Sequence, residues 1–321
     1  MHLRTFALLM SLFAGQAAAG PFVEAVQRDW LGPRAADFVR DGAALVPALE
    51  TLCAATPERA EADLAQAREH WLRALSSWET LAGVAVGPVL ERRAQRRIDF
   101  TPTRPRMIEK AIRAEPKGPA DMELVGTPAK GLPALEWLLW SRPVQPGTPG
   151  CRYAVRVAEE IRAEAAALAA ARPATQDDTA FLAELVNQWV GGVERLRWPG
   201  MEMPLRVAMT SVPAAVPDFP RRDSHAAPLA WSAQWRALRG LALEGEGSLR
   251  AALESRGQTE AAAALAQAVA AADAAMGGLT TGEGTRILAA AKSLAGLKAL
   301  VESRVAPALG VNIGFSDADG D

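Results

Sequence analysis

The chain has 321 residues, half of them hydrophobic, a length that fits two domains or one large one. Its 35 Lys and Arg residues nearly balance its 37 Asp and Glu residues, which gives a formal net charge of -2 at pH 7. This balance gives no support for nucleic-acid binding, which relies on a basic surface.

Residues 1–19 are typical of a signal peptide. Arg4 supplies a positive charge at the start, residues 6–13 form an apolar core, and three alanines at 17–19 offer a cleavage site. The apolar run is too short to span a bilayer. We therefore expect a mature chain that begins at residue 20, has no transmembrane segment and is exported to the periplasm.

The spacing of the apolar residues is helical, and no alternating strand pattern is convincing. One stripe recurs at three- and four-residue steps and predicts a helix over 61–86, ended by Gly87 and Pro88. Pro- and Gly-rich stretches at 116–130 and 198–223 are predicted to be irregular. The other predicted helices cover 34–52, 107–114, 151–171, 177–196, 229–243, 247–256, 260–276 and 283–306.

The sequence therefore predicts an all-α fold of two helical-bundle domains. A Pro-containing break after Arg172 divides the mature chain into residues 20–172 and 173–321. Cys53 and Cys151 are predicted to form a disulfide, because an even pair in an exported chain is normally oxidised. The alternative is two separate buried thiols.

A short and very apolar helix is predicted over residues 131–140. Gly131 lets the chain turn just before it, and Pro133 suits the first helical position. Glu136 is its only charged residue, and we expect it in or next to the first turn, where the helix dipole favours a negative charge. Two interpretations stay open: Glu136 is a dipole partner, or it is a functional group. The loop at 116–130 is expected to pack near it.

Gly131, Glu136 and the run Leu138-Leu139-Trp140 share the spacing of a Gly-x-His-x-x-Glu signature that leads into a Leu-Leu-Trp helix. By this spacing the chain resembles the imelysin-like proteins, the insulin-cleaving metalloprotease homologues of bacterial envelopes. Pro133 stands where the signature has its histidine. The C-terminal Phe-x-x-x-Asp-Gly-Asp and the segment 67–88 extend the resemblance over nearly the whole mature chain.

The resemblance implies two bundles that face each other across a cleft. It also implies a His-x-x-Glu metal site, often tied to iron uptake, so that an iron ion is the implied cofactor. Proline has no side-chain ligand, and Glu136 would need other partners to hold metal. The implied partners are an envelope protein or a metal-containing ligand.

Three functions follow from these expectations. The first is a non-catalytic periplasmic binding protein that acts in iron or metal acquisition and carries a degenerate metal motif. The second is a metallopeptidase of the imelysin type, and the third is a scaffold that binds a partner protein. Neither His-Glu-x-x-His nor Gly-x-Ser-x-Gly occurs in the sequence. The residues present therefore do not support peptidase activity, and no catalytic residue is predicted.

A second candidate segment contains Arg221, Arg222, Ser224 and His225. It lies where members of the family carry a Trp-Arg-Ser type motif. Its charges and hydroxyl are candidates for contact with an anion or another ligand. The alternative is that Ser224 or Asp223 only caps the helix that follows.

Two further charged groups stand out. Asp319 and Asp321 belong to a C-terminal tail that resembles the front of a calcium loop but lacks its downstream Glu. A frayed tail, a calcium site and a structural or cleft-facing role are the three interpretations. The group Arg96, Arg97 and Asp99 is predicted to form solvated ion pairs.

Overall fold

The computed structural model describes residues 19–175, 177–211, 213 and 215–314. Within these ranges the chain is helical and has no strand, which confirms the all-α prediction. Some predicted features lie outside the described residues: residues 1–18 of the signal peptide, Asp319 and Asp321. None of the helices in the described part combines the length and hydropathy needed to cross a membrane.

The helices are α1 (Pro21–Val26), α2 (Gly32–Cys53), α3 (Ala60–Ala82), α4 (Pro88–Glu91), α5 (Ala94–Ile98), α6 (Pro105–Ala114), α7 (Pro119–Glu123), α8 (Gly131–Glu136), α9 (Pro149–Ala170), α10 (Asp178–Arg197), α11 (Met203–Thr210), α12 (Ala227–Leu243), α13 (Leu249–Glu254), α14 (Thr259–Met276), α15 (Gly284–Leu300) and α16 (Ala306–Ala308). Single π-helical turns occur at Gln27–Leu31, Trp137–Ser141, Trp198–Glu202 and Val301–Val305, and a 3-10 turn at Thr127–Ala129.

The long helices occur where the periodicity predicts them, but the proline-rich stretches are more ordered than expected. The prediction of irregular structure at 198–223 is wrong for α11, and that at 116–130 is wrong for α7. Pro204 and Pro119 lie in the first turns of these helices. A proline there starts a helix instead of breaking one, because its missing N–H would have no partner anyway. Helix α3 ends at Ala82, four residues before the predicted end.

In the first half of the chain, α2 packs between α3 and α9. The apolar face of α2, with Phe38, Leu45, Leu49 and Leu52, is buried, and the Phe38 ring centroid lies 5.2 Å from that of Trp78 in α3. In the second half, α10 packs on α12 and α15, and α14 packs on α15. The Trp189 indole of α10 donates a hydrogen bond to the Leu238 carbonyl of α12 at 2.8 Å.

The two halves are in direct contact, because α3 packs on α12 as well as on α2. Just after α3, Gly83 lies so close to Gly192 of α10 that a Cβ on Gly192 would be 2.3 Å from the Gly83 oxygen. The Arg195 side chain stabilises the same contact by donating hydrogen bonds to the carbonyls of Ala82 and Gly83 at 2.7 and 3.0 Å. The buried apolar residues of both halves form one cluster. A domain division after residue 172, with a cleft between the parts, stays a prediction.

The predicted disulfide between Cys53 and Cys151 is confirmed. It joins the last residue of α2 to the first turn of α9, and the two helices also pack along their length.

Replacing Cys53 and Cys151 together by serine is expected to lower the free energy of unfolding by roughly 4 kcal/mol. The cysteines are 98 residues apart, and releasing a loop of this length increases the entropy of the unfolded chain. Urea unfolding followed by circular dichroism measures the change. The variant should keep the native helical spectrum without urea, and an unchanged unfolding midpoint would contradict the expectation.

Candidate functional site

Helix α8 is held in place by two backbone contacts. Gly131 has a φ of +74°, and a Cβ there would lie 2.3 Å from the Ile98 carbonyl oxygen, so a side chain does not fit. The Trp71 indole of α3 donates a hydrogen bond to the Leu132 carbonyl at 3.0 Å. These contacts fix the direction in which Glu136, further along α8, leaves the helix.

Glu136 is the sixth and last residue of α8, and the first turn contains no acidic residue. Glu136 therefore lies in the turn next to the first turn and not in the first turn itself. The helix begins at Gly131, so Pro133 is its third residue and not its first. The interpretation of Glu136 as a dipole partner loses its basis, because the dipole effect falls off within the first turn.

The carboxylate of Glu136 is buried and contacts the second half of the chain. Its Oε1 accepts hydrogen bonds from the backbone N–H of Ser224 at 3.0 Å and from the Ser224 hydroxyl at 2.7 Å. Its Oε2 lies 3.8 Å from Nη1 of Arg221. The structure thus brings together Glu136, Ser224 and Arg221, which the sequence analysis places in two separate candidate segments.

The segment 221–225 does not cap the following helix, so that alternative is wrong. Helix α12 begins after Ala226 and has no side-chain cap. The Ser224 hydroxyl bonds to Glu136 instead, and the Asp223 carboxylate accepts a hydrogen bond from the Ser141 hydroxyl. Both polar side chains therefore tie the segment to the first half of the chain.

Two residues of this segment have a left-handed backbone, Arg221 with φ +63° and His225 with φ +56°. Non-glycine residues rarely adopt this conformation and are strained in it. Arg221 is buried, whereas His225 and Arg222 are exposed. Arg222 pairs with Asp218 at 3.0 Å. Of the three basic side chains, only Arg221 therefore reaches Glu136.

Arg221 lies among three carboxylates from the first half of the chain. Besides Glu136, its Nη2 lies 2.5 Å from Oδ1 of Asp99 and 3.4 Å from Oε1 of Glu79. Only 4% of the Arg221 side chain is exposed. The prediction that Asp99 forms solvated ion pairs is wrong, because its partner is this buried guanidinium, 122 residues away in the sequence.

Further donors complete the cluster. The Gln234 amide of α12 donates to Oε2 of Glu79 at 2.7 Å, and the Trp78 indole donates to Oδ2 of Asp99 at 3.3 Å. Sequence reasoning missed Glu79. A signal was available, because Glu79 is four residues after Leu75 and three before Ala82, on the apolar face of α3.

Burial and charge shift the pKa values of this cluster. Burial raises the pKa of Glu79, and the nearby Asp99 charge raises it further, while Arg221 opposes both. Burial also raises the pKa of Glu136, against the opposing effects of Arg221 and Ser224. Burial alone would lower the pKa of Arg221, but the three carboxylates outweigh it and keep the pKa above its ordinary value. The arginine therefore stays charged, and Glu79 and Glu136 are the groups most able to take up a proton.

The cluster can bind protons and hydrogen-bonding groups, but the metal ion implied by the family resemblance does not fit it. Pro133 has no ligand atom, and both oxygens of Glu136 already face Ser224 or Arg221. The guanidinium of Arg221 supplies the positive charge among the carboxylates. Within the described ranges, no three His, Cys, Asp or Glu side chains are arranged to hold a metal ion.

Comparisons with known proteins identify relatives of this chain. The family model for imelysin matches residues 32–306. An imelysin-like protein from Psychrobacter arcticus 273-4 superposes with a TM-score of 0.74 at 18% identity, covering 94% of this chain and 100% of that one. A "putative iron-regulated protein A precursor" from Parabacteroides distasonis ATCC 8503 superposes with a TM-score of 0.71 at 14% identity, covering 90% and 94%. No curated protein matches.

Replacing Arg221 by methionine is expected to lower the free energy of unfolding by about 4 kcal/mol. The variant leaves three carboxylates buried without their cation, and removing one partner of a buried ion pair has a cost of this size. Arg222→Met, in the same turn but exposed, should change stability by less than about 0.5 kcal/mol. Urea unfolding of both variants measures the difference, and equal effects would contradict the buried position of Arg221.

The raised pKa of Glu79 makes stability depend on pH. At pH values above 4.5, the ordinary pKa of a glutamate, the folded chain holds a proton at Glu79 more tightly than the unfolded chain does. Its contribution to stability is therefore greatest at low pH and declines as pH rises through the raised pKa. A glutamine at position 79 has no such proton to lose. The free energy of unfolding of Glu79→Gln should therefore increase relative to wild type as pH rises from 4.5 to 7. Unfolding across this range, with the exposed Glu69→Gln of α3 as control, tests the sign; a relative loss would refute it.

Proposed function

The chain belongs to the imelysin family, and we propose that it is a periplasmic binding protein that acts in iron or metal acquisition without peptidase activity. The observation that carries this proposal is the closed cluster around Arg221. Glu136, the surviving acidic residue of the family signature, directs one carboxylate oxygen to Ser224 and the other to Arg221. A recognition role suits such a cluster better than a catalytic one.

The relation to iron has its support in the comparisons. The similar structure from Parabacteroides distasonis carries the name "putative iron-regulated protein A precursor". The word precursor and the signal-peptide pattern at residues 1–19 of this chain both support export. The disulfide supports the same location, since disulfides persist in oxidising compartments such as the periplasm.

The recognised species is a metal-containing ligand or an envelope partner, not a bare ion. A bare divalent ion prefers several free oxygen or nitrogen ligands, and the carboxylates here are occupied by a guanidinium. A larger ligand can instead compete for the donors of Ser224 and Arg221 at the place where residues 20–172 meet residues 173–321. The family resemblance implies a cleft between these parts, and our proposal assigns ligand binding to it.

Two alternatives remain distinct from this proposal. A metallopeptidase of the imelysin type would cleave unfolded protein in a metal-dependent reaction that requires Glu136. A scaffold for a partner protein would use the same surface but would have no effect on metal uptake.

Uptake of radioactive iron by intact cells tests the proposal. Deletion of the gene is expected to lower uptake at least twofold under iron limitation. The wild-type protein and the Arg222→Met variant should restore it, whereas Glu136→Gln should not. A glutamine oxygen can still accept from Ser224, but its NH2 group then replaces the carboxylate oxygen that faces the Arg221 guanidinium and sets donor against donor.

The outcomes separate the three functions. Unchanged iron uptake after deletion would reject the acquisition role and leave the scaffold. Metal-dependent cleavage of an unfolded substrate by the purified protein, lost in Glu136→Gln, would establish the peptidase. Immunoblots of envelope fractions verify that every variant is present at the wild-type level, so that loss of function is not loss of protein.

A further inference from the structure

The start of α1 is held by a carboxylate from the other half of the chain. Asp178, the first residue of α10, accepts hydrogen bonds from the backbone N–H groups of Phe22 at 3.1 Å and Val23 at 3.0 Å. These N–H groups lie in the first turn of α1, where a helix supplies no acceptor of its own. The residue just before a helix usually accepts them with its side chain. Here that residue is Gly20, so Asp178 takes over the capping role.

Gly20 lies directly against the Asp178 carboxylate. A Cβ on Gly20 would be 2.2 Å from Oδ1 and 2.8 Å from Oδ2 of Asp178, so a side chain here would displace the carboxylate. The backbone conformation does not require a glycine, because φ -66° and ψ 155° are open to any residue. Since a backbone nitrogen and its Cβ position are about 2.5 Å apart, the Gly20 nitrogen lies within about 5 Å of Oδ1.

No described side chain gives Asp178 a positive partner. Its charged neighbours at this contact are Asp177, just before α10, and Glu24, in the first turn of α1, and both are acidic. In the part of the chain that the structure describes, no lysine or arginine forms an ion pair with Asp178. A cation on the Gly20 nitrogen would therefore be attracted to this carboxylate without competition from another one.

Removal of the leader produces such a cation. The signal-peptide pattern places the cleavage site after Ala19, so Gly20 becomes the first residue of the exported chain. Hydrolysis by a signal peptidase adds one water to the bond between Ala19 and Gly20, leaves a carboxylate on Ala19 and frees the Gly20 nitrogen as an amine. The amine takes up a proton at neutral pH, because the ordinary pKa of an α-amino group is about 8. The resulting ammonium has three N–H donors and can turn one of them toward Asp178.

We propose that Asp178 is a binding site for the α-ammonium group of Gly20, so that removal of the leader adds an ion pair between α1 and α10. This inference rests on the proposed export of the chain and on cleavage after Ala19. The unprocessed chain has a neutral amide at the same place and lacks the ion pair. Helix α1 already packs on α10, with the ring centroids of Phe22 and Phe181 6.4 Å apart. Processing therefore strengthens an existing contact between the two halves.

Urea unfolding of four chains tests the ion pair. Two chains begin at Gly20 or at Ala17, and two more carry Asp178→Asn in the same two lengths. At pH 7 the equilibrium constant for folding should be about fivefold larger for the chain that begins at Gly20 than for the longer one. With Asp178→Asn the two lengths should be equally stable, because an amide oxygen still accepts from Phe22 and Val23 but carries no charge. The same stability in both lengths of wild type, or a difference that persists with Asp178→Asn, would overturn the proposal.

The adjacent carboxylate provides the matched control. Asp177→Asn removes the same charge one residue earlier, from a side chain that accepts from the Ala180 N–H and not from α1. This variant should keep the stability difference between the two lengths. If Asp177→Asn abolishes the difference as completely as Asp178→Asn does, the effect comes from net charge alone and the assignment of Asp178 fails.

Acetylation separates the charge from the length of the chain. A chain that begins at Gly20 and carries an Nα-acetyl group should be only as stable as the chain that begins at Ala17, and full stability after acetylation would refute the ion pair. The mass of the protein purified from envelope fractions should correspond to a start at Gly20, and any other start would refute the assignment. Neither readout involves iron uptake, so a failure of this inference and a failure of the proposed function are distinguishable.

Discussion

The position of one guanidinium determines how the two halves of this protein meet. Arg221 comes from the second half and is buried among Glu79, Asp99 and Glu136 of the first. Buried carboxylates are tolerated only when a cation or hydrogen-bond donors compensate them. The packing of α3 against α12 and the path of residues 221–225 therefore have to deliver Arg221 to this place, even with a strained backbone.

Hydrogen-bond donors also compensate the buried carboxylates, in addition to the charge of Arg221. Ser224 donates two hydrogen bonds to Glu136, and Gln234 donates one to Glu79. Each of these donors comes from the second half, and each acceptor comes from the first. The junction is thus polar at its centre and apolar around it, which fixes the relative position of the halves more specifically than apolar packing alone can.

The fold was largely predictable from the sequence, because the long helices repeat their apolar residues every three to four positions. The cluster was only partly predictable. Glu136 and Ser224 were recognisable as candidates from a family motif, but their contact spans 88 residues and leaves no local pattern. Asp99 was misjudged for the same reason, since nothing in its neighbourhood in the sequence shows that its partner is Arg221. A charged residue on the apolar face of a helix, such as Glu79, is the one feature of the local sequence that indicates such a cluster.

The disulfide also determines what happens when the backbone is broken. It encloses residues 54–150, which include the proline-rich stretch before Gly131 and all of α8. A single proteolytic cut anywhere in that span leaves two fragments that remain covalently joined, each still attached to its packed helix, α2 or α9. A nicked molecule therefore migrates as one chain until the disulfide is reduced, and the fragments that carry Glu79, Asp99 and Glu136 stay covalently linked to the rest of the protein.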